Sequence, residues 1–264
     1  MPPKSWEWIK RIHFGRGRLV ALDWGEELWV WDASKYETAV GIEAVLARAG
    51  RETDNGSICF HATASLLDDV VDAAGGVERS LDRLRAAMER VREFAALAIE
   101  AHGPISDGGG LTDSSTEDAW YSIEEMIVWA RTLDERLRRG RYVPGYSDQG
   151  LIPALATGPR RDAIMAARST LLNTEFGEAL RLANLNLHLQ STQAGSKGAR
   201  MRNGEVLLDF PDRVEQKVLH RWELTYEDGR DGETFAENLF AGVERFMDEM
   251  FTALERDLPE RFRS

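Results

Sequence analysis

The sequence predicts a mainly α protein: a helical bundle with long antiparallel helices, decorated by an N-terminal β-hairpin and a second hairpin near 199–210. Three observations predict it. Segments 77–103, 115–140 and 234–259 repeat apolar residues at steps of three and four, with charge on the opposite side, as helices half sunk in a core do. Long helices joined by loops describe a helical bundle. Strand–helix–strand alternation is absent, which sets aside a parallel nucleotide-binding sheet.

The elements follow in chain order. "RLVALDWGEELWVW" (18–31) places two short apolar runs around "DWGEE", where Gly25 can supply a turn, and reads as a β-hairpin. "SKYE" (34–37) matches a capping box, and the helix after it carries Val40, Ala44, Val45 and Leu46 and stops near Gly50. "SLLDDVVDAAGG" (65–76) reads as a short helix started by Ser65 and ended by its glycine pair. The next helix, 77–103, aligns Val77, Leu81, Leu84, Met88, Val91, Ala95 and Ala98. "PISDGGGLTDSS" (104–115) is Gly-rich but lacks the spacing and lysine of a P-loop, so it reads as a connector.

Helix 115–140 has Ser115 or Thr116 as its cap and the stripe Trp120, Ile123, Ile127, Ala130, Leu133 and Leu137. After a loop over 140–158, Pro159 suits a first helical turn, and a helical pattern runs to about Gln190 with a break at Asn173-Thr174. Asn203-Gly204 between alternating segments is the signature of a type I′ hairpin. Residues 214–224, "VEQKVLHRWEL", fit strand and helix alike. The last helix, 234–259, pairs Thr234 with Glu237 as a capping box and lines up Phe235, Leu239, Val243, Phe246, Met250 and Leu254. Residues 1–62 are expected as a hairpin-and-helix appendage packed on a bundle domain of 63–264.

Composition narrows the function classes. The chain has 264 residues, a formal charge of −12 and one cysteine, Cys59. So strong a negative charge disfavours nonspecific coating of nucleic acid, since that affinity comes from neutralising phosphates. Basic residues nevertheless gather at 10–18, 136–141, Arg160/Arg161 and 197–202, so a local anion-binding surface is compatible with the sequence. A lone cysteine forms no internal disulfide, no apolar run is long enough for a bilayer, and the N-terminus has no secretory apolar region. A cytoplasmic location and no membrane partner are the expectation.

No metal or cofactor is expected. The five histidines, His13, His61, His102, His188 and His220, show no ligand spacing, and there is no cysteine pair. Asp68, Asp69 and Asp72 lie near one helix face, where a hydrated acidic surface competes with a cation site. Cys59 and His61 would share a face if 56–64 were a strand, though a small buried cysteine beside an unrelated histidine explains them equally.

"RLANLNLH" (181–188) is the remaining constellation. On a helix, Arg181 and His188 lie two turns apart on one side, with Asn184 between them. Guanidinium grips phosphate in two-pronged fashion, and imidazole moves protons near neutrality. Lys197, Arg200 and Arg202 follow closely as a phosphate-binding loop. A second Arg-x6-His match, Arg213–His220, lies in the segment that fits strand and helix alike.

With its long helices and this motif, the chain resembles the HEPN superfamily of helical-bundle proteins over roughly residues 77–190, with 234–258 as a further part. The resemblance implies a homodimer and a metal-independent ribonuclease or RNA binder, in which Arg181 holds the scissile phosphate, His188 acts as general base or acid and Asn184 orients one of them. It implies a 2′,3′-cyclic phosphate product. Three readings compete with catalysis. In one, the same residues form a polar stripe in which Arg181 pairs with Glu178. In another, the chain is a non-enzymatic module for a protein partner, with Trp6, Trp8, Trp24, Trp29 and Trp31 as anchors. In the third, Trp120 and Trp129 line a small-ligand pocket.

Overall fold

The computed structural model describes residues 3–13, 19–24, 27–32, 53–111, 113–138, 150–154, 158–188, 198–210, 213–218, 221–225 and 230–255. The fold is mainly α with antiparallel hairpins. Its elements are α1 Lys4–His13, β1 Leu19–Trp24, β2 Glu27–Asp32, α2 Thr53–His102, β3 Gly110–Leu111, α3 Ser114–Arg138, α4 Leu151–Ala154, α5 Pro159–Leu172 and α6 Glu175–His188. Then come β4 Ala199–Arg202, β5 Glu205–Phe210, β6 Arg213–Val218, β7 Arg221–Thr225, β8 Arg230–Asp231 and α7 Gly232–Glu255. The chain forms two compact units: Met1–Gly75, Thr132–Thr170 and Glu244–Ser264 in the first, Gly76–Arg131 and Leu171–Val243 in the second. The boundary expected at 62 falls inside α2.

In the first unit, β1 and β2 pair antiparallel with Ala21 opposite Val30, the hairpin that the alternating pattern predicts. The helix expected before Gly50 lies outside the described residues. α1 forms where the periodicity marks no element. Trp8 is fully buried and donates its indole N–H to Asp248 Oδ1 at 3.3 Å, while Lys4 Nζ lies 3.2 Å from Glu7 and 3.5 Å from Glu244. Trp8 is therefore a core residue and not a surface anchor, whereas Trp6 is 47 % exposed.

The second unit contains the antiparallel pairing. Arg83 meets Glu125 and Arg90 meets Asp118, so partner numbers fall along α3 as they rise along α2. α7 also runs antiparallel to α2, with Arg85 on Glu237 and Arg92 on Glu233. Val77, Leu81, Leu84, Met88 and Val91 of α2 are buried, as are Ile123, Met126 and Ile127 of α3 and Phe235, Leu239 and Val243 of α7. The aromatic rings Trp120, Phe210 and Phe235 stack in sequence, at 6.0 Å and then 4.3 Å between centroids. Burying a side chain of phenylalanine size contributes about 2 kcal/mol.

The sheet order is β3-β4-β5-β8, all antiparallel. Asn203 (φ 51°) and Gly204 (φ 83°) turn β4 into β5 with the two positive φ angles that a type I′ turn requires. The Gly-rich connector is more than a link: Gly110 and Leu111 pair with Arg200 and Ala199, and Asp107 Oδ1 accepts from the Asn203 amide at 2.8 Å. In the segment 214–224, ambiguous in sequence, the described residues belong to strands β6 and β7, which pair antiparallel.

Three expectations are corrected. The Gly75-Gly76 pair does not end a helix, because α2 runs through it from 53 to 102. The cap of α3 is Asp113, two residues before Ser115 and three before Thr116: its carboxylate accepts from the Thr116 amide at 2.9 Å and hydroxyl at 2.8 Å. Burial alone would raise the Asp113 pKa, but the hydrogen bonds from Thr116 and Ser115 outweigh it and hold the carboxyl below its usual value. Likewise, α7 is capped by Asp231, whose Oδ2 accepts from the Thr234 amide at 3.0 Å and hydroxyl at 2.8 Å, so Thr234 is not the cap.

Gly76 is tolerated in mid-helix because Trp129 lies against it. A Cβ there would sit 2.2 Å from the indole Cδ2, and Arg79 stacks on the same ring at 5.7 Å. Alanine ordinarily stabilises a helix interior over glycine by about 1 kcal/mol. Here the methyl must displace the indole, and Gly76→Ala is expected to lose about 1–3 kcal/mol. Urea unfolding followed by far-UV circular dichroism measures it, and a more stable variant would show that the ring does not occupy this place.

Candidate functional site

α6 carries the "RLANLNLH" residues, and its start is set locally. Thr174 caps it, accepting from the Phe176 amide at 3.3 Å while donating its hydroxyl to Leu171 O at 2.7 Å. The break expected at Asn173-Thr174 lies at this corner, between α5 and α6. Glu175 and Glu178 stand in the first turn, where the helix dipole favours carboxylates. Phe176, Ala179, Leu182 and Ala183 are buried, so the helix turns its apolar side into the second unit's core.

Arg181 and Asn184 fall on the other side and are exposed. They lie one turn apart in one uninterrupted helix, of which His188 is the last residue. The His188 side chain is outside what is described. Among the described residues, no ion pair engages Arg181.

Glu178, a candidate partner of Arg181, is engaged elsewhere. The expected partner of Arg181 is instead bound by Arg230, whose Nη1 donates to Glu178 Oε2 at 2.6 Å, with Nη2 3.6 Å from Glu175 Oε1. The same guanidinium lies 4.9 Å from the Phe235 ring and 5.9 Å from Phe210. Asn238 Nδ2 donates to Glu175 Oε1 at 3.3 Å. Both carboxylates of the first turn are thus taken up by tertiary partners. Nothing local in the sequence points to Arg230, which is 52 positions from Glu178 and reads as a turn residue in "DGRDGET".

Arg200 and Arg202 lie on β4 two residues apart, hence on one strand face. Arg200 is half-buried and Arg202 exposed, alternating with the buried Ala199 and Met201. Lys197 lies outside the described residues. Arg213, of the second Arg-x6-His match, is on strand β6, and His220 lies outside the described residues.

The other candidates have structural placements. Cys59 and His61 belong to helix α2, so the strand geometry that would put them on one face does not exist. Among the described residues, no three His, Cys, Asp or Glu side chains group as a metal-binding set. Asp72 is exposed, and Asp69 is half-buried with Oδ2 buried and lacking a hydrogen bond. Trp120 stacks on Phe210 with its indole N–H buried and unpartnered, and Trp129 covers Gly76. No described helix is long and apolar enough to cross a membrane. Comparison with protein-family models, curated proteins and solved structures finds no match to this chain.

Proposed function

We propose that the protein is a HEPN-like, cytoplasmic RNA-binding protein that cleaves RNA without a metal, working as a homodimer in a toxin or defence role. The reading is carried by one observation: Arg181 and Asn184 stand exposed one turn apart on α6, while Glu178 is drawn off by Arg230. An exposed guanidinium clear of its neighbouring carboxylate can hold a phosphodiester. In this reading Arg200 and Arg202 on β4, with Lys197, are the further cations that would contact the RNA backbone.

In this mechanism, Arg181 binds the scissile phosphate and Asn184 orients the catalytic imidazole. His188 takes the proton of the ribose 2′-hydroxyl. The 2′-oxygen attacks phosphorus, the bond to the 5′-oxygen breaks, and the imidazolium returns its proton to that leaving oxygen. The products are a 2′,3′-cyclic phosphate and a 5′-hydroxyl.

Purified protein and a structured RNA in EDTA test the reading. Cleavage is expected, falling about 10²- to 10⁴-fold in His188→Ala through loss of general acid–base catalysis. Arg181→Ala should weaken binding about tenfold or more, as loss of a charge-assisted hydrogen bond does. Cleavage that survives His188→Ala would assign the chemistry to another residue.

A second reading, a non-enzymatic module for a protein partner, is favoured by exposed apolar side chains: Tyr121 (58 %) and Val128 (55 %) on α3, and Phe94 (40 %) and Leu97 (64 %) on α2. A stoichiometric protein partner that co-purifies, with no RNA bound or cleaved, would select it.

A further inference from the structure

We infer that Arg230 is a positioning residue for the α6 face: it holds Glu178 away from Arg181 and so keeps Arg181 available to an anionic ligand. This rests on the reading of α6 as a phosphate-binding face. Residues three apart on a helix are neighbours, so Glu178 is the carboxylate best placed to pair with Arg181. Its Oε2 instead accepts from Arg230 at 2.6 Å, and the Glu178 side chain is only 14 % exposed. Glu178 Oε1 is buried and has no hydrogen bond among the described residues, so Arg230 is the cation that this carboxylate engages there.

Three features hold Arg230 in place. Its backbone pairs with Phe210 at the β5–β8 edge, its guanidinium lies over the Phe235 and Phe210 rings, and Glu175 stands 3.6 Å from Nη2. A cation over aromatic faces and against two carboxylates is held by electrostatics from both sides. The two acids at the start of α6 are thereby neutralised together, which lowers the repulsion that an approaching phosphate meets. The arrangement discriminates among arginines in the unit: Arg230 is committed to the acids, and Arg181 is left to the solvent side.

The test uses Arg230→Met, which keeps an aliphatic stem over the rings and removes the charge, alone and combined with Glu178→Gln. Two readouts are taken at low ionic strength: the Arg181 side-chain Nε–H resonance, assigned by its loss in Arg181→Lys, and the affinity for a fluorescent RNA hairpin. In Arg230→Met, Glu178 should swing to Arg181, shifting that resonance and weakening RNA binding about fivefold, as an exposed ion pair at the strong end of its range would. Adding Glu178→Gln should return both to wild-type values, a rescue that a purely structural role of Arg230 would not give.

An unmoved resonance in Arg230→Met, or a double variant that stays impaired, overturns the inference. If wild-type protein binds no RNA, the phosphate-binding reading fails and the resonance alone decides the Arg230–Glu178–Arg181 relation. Should Arg230→Met not fold, Arg230→Gln replaces it, which also removes the charge, with the same shift and the same rescue by Glu178→Gln expected.

Discussion

Gly177→Ala should destabilise this protein more than Gly76→Ala does. A Cβ at Gly177 would lie 2.0 Å from the carbonyl oxygen of Leu172 and 3.0 Å from its carbonyl carbon, both backbone atoms. No rotamer can relieve that clash, so the α5–α6 corner itself must open. The corner is tight because the Thr174 amide donates to Leu171 O at 3.1 Å and the Gly177 amide to Thr174 O at 3.0 Å. The expected loss is about 3 kcal/mol, the upper part of the range for overpacking. Helix propensity alone predicts the opposite sign, since alanine is favoured over glycine by about 1 kcal/mol. Chemical denaturation separates the two: a variant equal to or more stable than the parent would mean that the helices do not approach so closely. Because α6 carries Arg181, the same variant should also weaken RNA binding if the proposed site is correct.

Asp134→Ala is the second large effect. Asp134 is 2 % exposed and holds two arginines. Arg138 reaches Oδ2 through Nε at 2.7 Å and Nη2 at 2.6 Å, and Arg168 reaches Oδ1 through Nε at 2.9 Å and Nη2 at 2.6 Å. The carboxylate is desolvated, but its attraction to two cations and its hydrogen bonds offset that cost. Removing it leaves two positive charges facing each other. Arg138 is 45 % and Arg168 21 % exposed, so both can recover some hydration. The loss should therefore fall near the low end for a broken buried pair, about 3 kcal/mol. Asp134→Asn, which keeps the shape and discards the charge, should lose a substantial part of the same stability. Melting curves for the two variants that overlay the parent would show that this cluster contributes nothing to the fold.

The positions of the helix caps show where a sequence stops being decisive. "TDSST" and "RDGET" each contain an aspartate three residues before a threonine. Either residue can be the cap, because both side chains accept from a backbone amide at that spacing. At α7 the choice falls on Asp231, which is paired in the sheet with Asp209 and so belongs to the strand that ends just before the helix. Glu237 is then not needed to close a box at Thr234, and it grips Arg85 of α2 at 2.7 Å through both oxygens. The Gly75-Gly76 pair carries the same lesson. Locally it is a stop signal, but packing against Trp129 makes a flat spot in a continuous helix more favourable than a turn.

The candidate site was legible to the same degree. That Arg181 and Asn184 share one side of a helix follows from their spacing of three, and the buried Phe176, Ala179 and Leu182 put them on the outward side. What Arg181 would pair with was not legible. Spacing nominates Glu178, and only the return of the chain at β8 supplies the arginine that takes it instead.

By itself, then, the sequence determined the mainly helical class, the buried stripes of α2, α3 and α7, and the turn at Asn203-Gly204. These depend on periodicity and on backbone preferences that neighbouring residues set. Tertiary structure alone decided which aspartates cap, whether a glycine pair breaks a helix, and which arginine Glu178 binds. The last two outcomes turn on groups tens of residues apart, Trp129 against Gly76 and Arg230 against Glu178, and local propensities of about 1 kcal/mol are too small to settle them.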